Sequence, residues 1–79
     1  MEQNKLLLLE KELFTAFLLD NPDIEPRQTL FEECSLIFQK KTKNMPDEDL
    51  NSMSVRIHDR LNRHSPQQQK SILEKVIKY

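Results

Sequence analysis

The 79-residue chain has no glycine, no tryptophan, a single cysteine and no apolar run longer than four residues. Each shortage excludes something. Without glycine there is no P-loop, no GxGxxG nucleotide turn, no nucleophile elbow and no EF-hand loop, because each needs backbone that glycine alone supplies cheaply. Tight primed hairpin turns are also disfavoured, which argues against a β-rich fold. Cys34 by itself cannot form an internal disulfide or a Cys-based zinc site, and it fits a reducing compartment. The polar stretch Met1–Lys5 and the short run Leu6–Leu9, broken by Glu10-Lys11-Glu12, make neither an export signal nor a membrane span. A cytoplasmic protein is expected.

What is present suffices for one small domain spanning 1–79. Leu, Ile, Val and Phe number 23, enough apolar material to lift the chain out of the disordered class. A domain of this size has a small core and a stability of roughly 4–12 kcal/mol. The net charge of −1 does not point to nucleic acid, but its distribution is uneven. Residues 1–50 carry 6 basic and 11 acidic side chains, whereas residues 51–79 carry 6 basic and 2 acidic ones. Such a dipolar domain can orient against a charged partner or pair its own halves.

Four segments have helical periodicity, separated by proline-bearing breaks. In the first, about Gln3–Leu19, Leu6, Leu9, Leu13, Ala16 and Phe17 share a face. Leu7, Phe14 and Leu18 widen it enough to touch two neighbours, and Leu8 and Leu19 fall nearly opposite. Asn21 is read as a left-handed stop before Pro22. Pro26 suits the first turn of the second helix, about Pro26–Lys41, with Glu25 favouring the positive end of its dipole. Its expected stripe is Leu30, Phe31, Cys34, Ile37 and Phe38, and Lys40, Lys41 and Lys43 gather at its C-terminal end.

Asn44 ends that helix, and Pro46 opens the third with Asp47, Glu48 and Asp49 in its first turn. Leu50, Met53, Ile57, Leu61 and His64 form its apolar face, with Arg56, Arg60 and Arg63 as a separate stripe. Ser65-Pro66-Gln67-Gln68 encodes a capping box for a fourth helix that buries Ile72, Leu73, Val76 and Ile77. Short connections between amphipathic helices predict an all-α, antiparallel four-helix bundle. Leu13, Phe17, Leu30, Cys34, Phe38, Ile57, Leu61, Leu73 and Val76 are expected to form one core.

Chemistry-bearing groups are sparse. His58 and His64 lie six apart and cannot share a metal as i, i+4 histidines do; His64 is expected to bond the last carbonyls of its helix. Cys34 on an apolar stripe behaves as a small hydrophobe rather than a nucleophile. The expectation is a non-enzyme with no cofactor and no metal. Arg56, Arg60 and Arg63 suit phosphates, anionic lipid headgroups at a membrane surface, or an acidic protein, and Asp59 is placed to pair with Arg56 or Arg63 as an ordinary solvated face. No aromatic interleaves the arginines, so a base-stacking platform for nucleic acid is missing. Leu8, Leu19, Leu36 and Val55 fall off the core faces, and Leu8 with Leu19 is a candidate edge for a partner or a second copy.

The order of features carries a resemblance. Leu13-Phe14-Thr15 with Leu18-Leu19, then Ile24-Glu25-Pro26 with Gln28, resembles the first helix and connection of pediocin-type (class IIa, enterocin A) bacteriocin immunity proteins. It continues through Lys40–Asn44, through Leu50, Met53, Ile57 and Leu61, and into the Gln-rich start of the fourth helix at Ser65–Gln69. The resemblance implies a cytosolic four-helix bundle that engages the toxin's membrane receptor, a mannose phosphotransferase permease with bound bacteriocin, and blocks the lethal pore. It also implies that discrimination lies in the C-terminal half, where Arg56, Arg60, Arg63, Lys70, Lys75, Lys78 and Tyr79 are the candidate contacts. A small helical regulator or adaptor that binds a cytosolic protein is the alternative the same helices would serve.

Overall fold

The computed structural model describes residues 3–79; Met1 and Glu2, the start of the polar stretch read against an export signal, lie outside the described residues. Four helices make up the fold: α1 (Gln3–Asp20), α2 (Gln28–Thr42), α3 (Asp47–Leu61) and α4 (Pro66–Val76). They form an all-α antiparallel four-helix bundle. Side-chain contacts fix the directions. Glu12 meets His58 and Asp20 meets His64, so α3 runs with α1. Lys11 reaches the carbonyl of Ile77, while Leu18 and Ile72 face one cleft, so α4 runs against α1. No helix among the described residues is long and apolar enough to cross a membrane.

Local chemistry sets the ends. Ser65 caps α4 by accepting from the Gln68 amide at 3.2 Å, and the Gln68 side chain accepts from the Ser65 amide at 3.0 Å, the reciprocal box encoded in the sequence. Asp47, Glu48 and Asp49 occupy the first turn of α3, and Lys40 and Lys41 the last turn of α2, each matching the helix dipole. Two sequence expectations fail at helix ends. No described residue has a positive φ, so Asn21 is not a left-handed stop; its side-chain amide instead donates to the Phe17 carbonyl at 2.8 Å, satisfying a C-terminal acceptor. Pro26 is outside α2 because Arg27 is extended and takes the N-cap position, and Glu25 is therefore too far out to sit in the first turn.

Helix α1 is the hub: α2, α3 and α4 each pack on it more extensively than on one another. This splits the expected single core in two. On one side Leu9 and Ala16 meet Phe38, Ile57 and Leu61, joined by Leu6, Leu13, Leu19 and Met53. On the other, Phe14 and Leu18 meet Val76, with Phe17, Leu30, Phe31, Cys34, Ile72 and Tyr79 packed around them. Leu19, expected on the outer face, is drawn inward because the C-terminal half of α1 is covered on several sides. Leu8 is exposed as its outer position implies, but Leu7, expected to widen the buried face, is exposed as well. At 1.5 Å per residue α4 is about 16 Å long against about 27 Å for α1. Past the end of α4, the Ile77 carbonyl accepts from Lys11 Nζ at 3.3 Å.

Two stripes are also rotated from their expected positions. On α4 the inward row is Gln69, Ile72 and Val76, and Tyr79, three residues past the helix end, continues it. Leu73 and Ile77 lie on its flank and are exposed. On α2, Ile37 is 66% exposed, whereas Phe38 and Thr42 are buried and Ser35 is half-buried. The Thr42 hydroxyl donates to the Phe38 carbonyl at 2.9 Å, and Thr15 likewise to Lys11 at 2.8 Å, so neither buried hydroxyl is left unpaired.

Candidate functional site

The cationic residues assigned to recognition divide into two groups. Arg60 is held. Its Nε donates to Asp20 Oδ2 at 3.0 Å and its Nη2 lies 2.9 Å from the same oxygen. His64 completes the arrangement from the other side, 3.0 Å from Asp20 Oδ1; the carboxylate can only accept, so the Nε2–H donates. An aspartate at the end of a helix faces the negative pole of the dipole, and two donors from the α3 end offset that repulsion. The His64 hydrogen bond, followed by the bond and charge of Arg60, holds the Asp20 carboxyl below its ordinary range, against an opposing effect of burial. Arg60 is thus a tie between α1 and α3 rather than part of a free stripe.

His64 also departs from its expected role. The carbonyls of Leu61 and His64 are taken by the Gln69 side-chain amide, at 2.7 and 2.9 Å. Gln69 is a structural residue that sequence reading missed, since its partners lie five and eight residues away and outside its own helix. His58 makes a second tie to α1, with Nε2 at 2.6 Å from Glu12 Oε2. The two histidines therefore serve separate carboxylates.

Removing one carboxylate tests the first tie. Asp20→Asn should cost about 0.5–1 kcal/mol at neutral pH, a modest figure because the group is partly exposed and screened. Because the folded carboxyl titrates lower than the unfolded one, its contribution is complete above the ordinary aspartate range and disappears as pH falls through the folded value. Urea unfolding of both proteins should differ at neutral pH and converge in strong acid.

The second group is exposed: Arg56, Arg63, Lys70, Lys75 and Lys78. Asp59 pairs with neither Arg56 nor Arg63, so these two guanidinium groups face solvent without the partner expected for them. Lys75 and Lys78 border a small cleft with Glu25, Pro26 and Tyr79. Lys75 also edges a larger one, about 650 Å³, between the α1–α2 connection and α4. That cleft has Leu18, Leu19, Ile24 and Ile72 on its walls and Asp23 and Glu25 among its charged groups. Tyr79, assigned to recognition by position, has its ring in the core, 5.7 Å from Phe31 and 6.3 Å from Phe14 between centroids. The Leu8 and Leu19 edge does not exist as read, because Leu19 packs inward. Cys34 is half-buried, and burial, then the charge of Glu33, pushes its thiol up, away from the thiolate.

No family model, curated protein or solved structure matches the chain.

Proposed function

We propose that this chain is a non-enzymatic immunity protein of the pediocin-type class, acting at the cytoplasmic face of a bacteriocin's membrane receptor by protein–protein contact. The reading rests on the ordered resemblance along the chain. One structural observation supports it: cations concentrated in the C-terminal half are exposed at Arg56, Arg63, Lys70, Lys75 and Lys78, with their helices already anchored to α1. Charge placed this way suits steering toward an acidic protein surface and costs the fold little. The fold matches the antiparallel four-helix arrangement that the resemblance implies.

Expression in a bacteriocin-sensitive strain, challenged with a class IIa panel, tests the reading. Survival against at least one member is the expected result. Unchanged killing by every member, with the folded protein demonstrably present, would remove the claim. A second reading, a helical adaptor for a cytosolic protein, draws on the cleft between the α1–α2 connection and α4, whose apolar walls and mixed charges suit a peptide. A bacteriocin precursor or transporter gene beside this one favours immunity, and a regulatory operon favours the adaptor.

A further inference from the structure

The outer flank of α4 combines two features that the fold does not use. Leu73 is 39% exposed and Ile77 63%, and their four-residue spacing stacks them on one side of the helix, beside the buried row of Ile72 and Val76. Lys70 lies three residues before Leu73, and Lys78 directly follows Ile77, so ammonium groups bracket the apolar pair. Neither lysine makes a hydrogen bond or an ion pair. Glu74, four residues from each, is the one acid of α4 and can offset only one of them. Glu25 borders the same small cleft as Lys75 and Lys78 but pairs with neither.

The charge around this flank has one sign. Between residues 51 and 79 the exposed cations are Arg56, Arg63, Lys70, Lys75 and Lys78, against the exposed acids Asp59 and Glu74. Residues 1–50 carry 11 acidic and 6 basic side chains, so the molecule is a dipole whose positive half holds the apolar pair. A broad anionic plane attracts that half and repels the other. Unpaired cations spread over two helices match a plane of charge, and apolar side chains set between lysines match the layer beneath it. Lysine heads pair with anionic headgroups, while leucine and isoleucine enter the boundary with the acyl chains. Leu36 on α2 gives the contrast. It is 59% exposed, but Glu32 and Glu33 precede it by four and three residues, which disfavours the same plane.

We propose that the Leu73–Ile77 flank of α4 is a docking surface for an anionic lipid bilayer. The helix lies along the membrane plane, Leu73 and Ile77 enter the headgroup layer, and Lys70 and Lys78 hold anionic headgroups on either side. Two apolar side chains and a few charges make such binding weak and reversible. This goes beyond the immunity reading, whose contact is with a protein, and either can fail without the other.

The test is co-sedimentation of the full chain with vesicles of phosphatidylglycerol and phosphatidylcholine in equal parts, and with vesicles of phosphatidylcholine alone. No receptor is present, so the result bears on lipid only. The chain should bind the anionic vesicles, leave the neutral ones, and lose severalfold in affinity between about 50 and about 300 mM salt as screening shortens. Ile77→Ser should weaken binding about tenfold through lost apolar burial. Lys70→Glu with Lys78→Glu should weaken it by more than about tenfold. Leu36→Ser, at a comparably exposed position on α2, should change nothing. All four side chains are exposed, and melting followed by circular dichroism checks that each variant folds. Absence of binding to the anionic vesicles, equal binding to the neutral ones, or unchanged binding in either α4 variant would overturn the proposal. So would an equal loss in Leu36→Ser. Self-association that Ile77→Ser abolishes, with no vesicle binding, would assign the flank to a second copy of the chain instead.

Discussion

Phe38→Ala should destabilise the protein by about 3–5 kcal/mol, the cost of removing a large buried aromatic and leaving a void. Phe38 is 4% exposed and meets Leu9, Ala16, Ile57 and Leu61 where α1, α2 and α3 converge. It is also the only apolar residue of α2 that is fully buried, so α2 has no second anchor of equal weight. Set against a total of roughly 4–12 kcal/mol, the loss should lower the melting temperature by tens of degrees or prevent folding. Ile37→Ala is the matched comparison. The neighbouring side chain is mostly exposed, and its removal should stay within about ±0.5 kcal/mol. Thermal unfolding followed by circular dichroism reads both. Wild-type melting of Phe38→Ala together with a large loss in Ile37→Ala would mean that α2 presents its other face to α1.

That pair also marks how far local pattern reaches. Phe38 and Ile37 are adjacent apolar residues, and both fit a stripe drawn through Leu30 and Cys34. Only the position of α1 decides between them, and it draws in the row through Phe31, Cys34, Phe38 and Thr42. The same happens on α4, where Leu73 and Ile77 lose to Tyr79. Tyr79 had a readable signal, lying seven residues after Ile72 and three after Val76, but it was counted among the contacts that the resemblance implies for the C-terminal half. Signals that act within one turn were legible: the Ser65–Gln68 box, the acidic start of α3 and the proline-bearing breaks all appear where the residues put them. Features made between distant segments were not. Nothing near Arg60 in sequence announces Asp20, forty residues earlier. The hub role of α1 was partly visible in its broad apolar arc, which in the fold meets three helices rather than two.

The tie between Arg60 and Asp20 changes how recognition by the C-terminal half should be tested. Reversing Arg56, Arg60 and Arg63 together would leave Asp20 with His64 alone, set a like charge beside it and loosen α3 from α1, so lost protection would carry no information about a partner. Arg56→Glu, Arg63→Glu and Lys70→Glu is the informative set, because all three side chains are exposed and make no ion pair. Each change should alter stability by no more than about 0.5 kcal/mol. If these residues meet an acidic receptor surface, helicity and melting should persist while protection in the bacteriocin challenge is lost. Opposite charge attracts at the encounter, and like charge at the same contact costs several kcal/mol. Reversing Lys40, Lys41 and Lys43 is the control of equal charge change. Those lysines cluster at the C-terminal end of α2, where the helix dipole already accounts for them. Loss of protection in the lysine set with retention in the Arg56, Arg63 and Lys70 set would move the recognition surface from α3 and α4 to the end of α2.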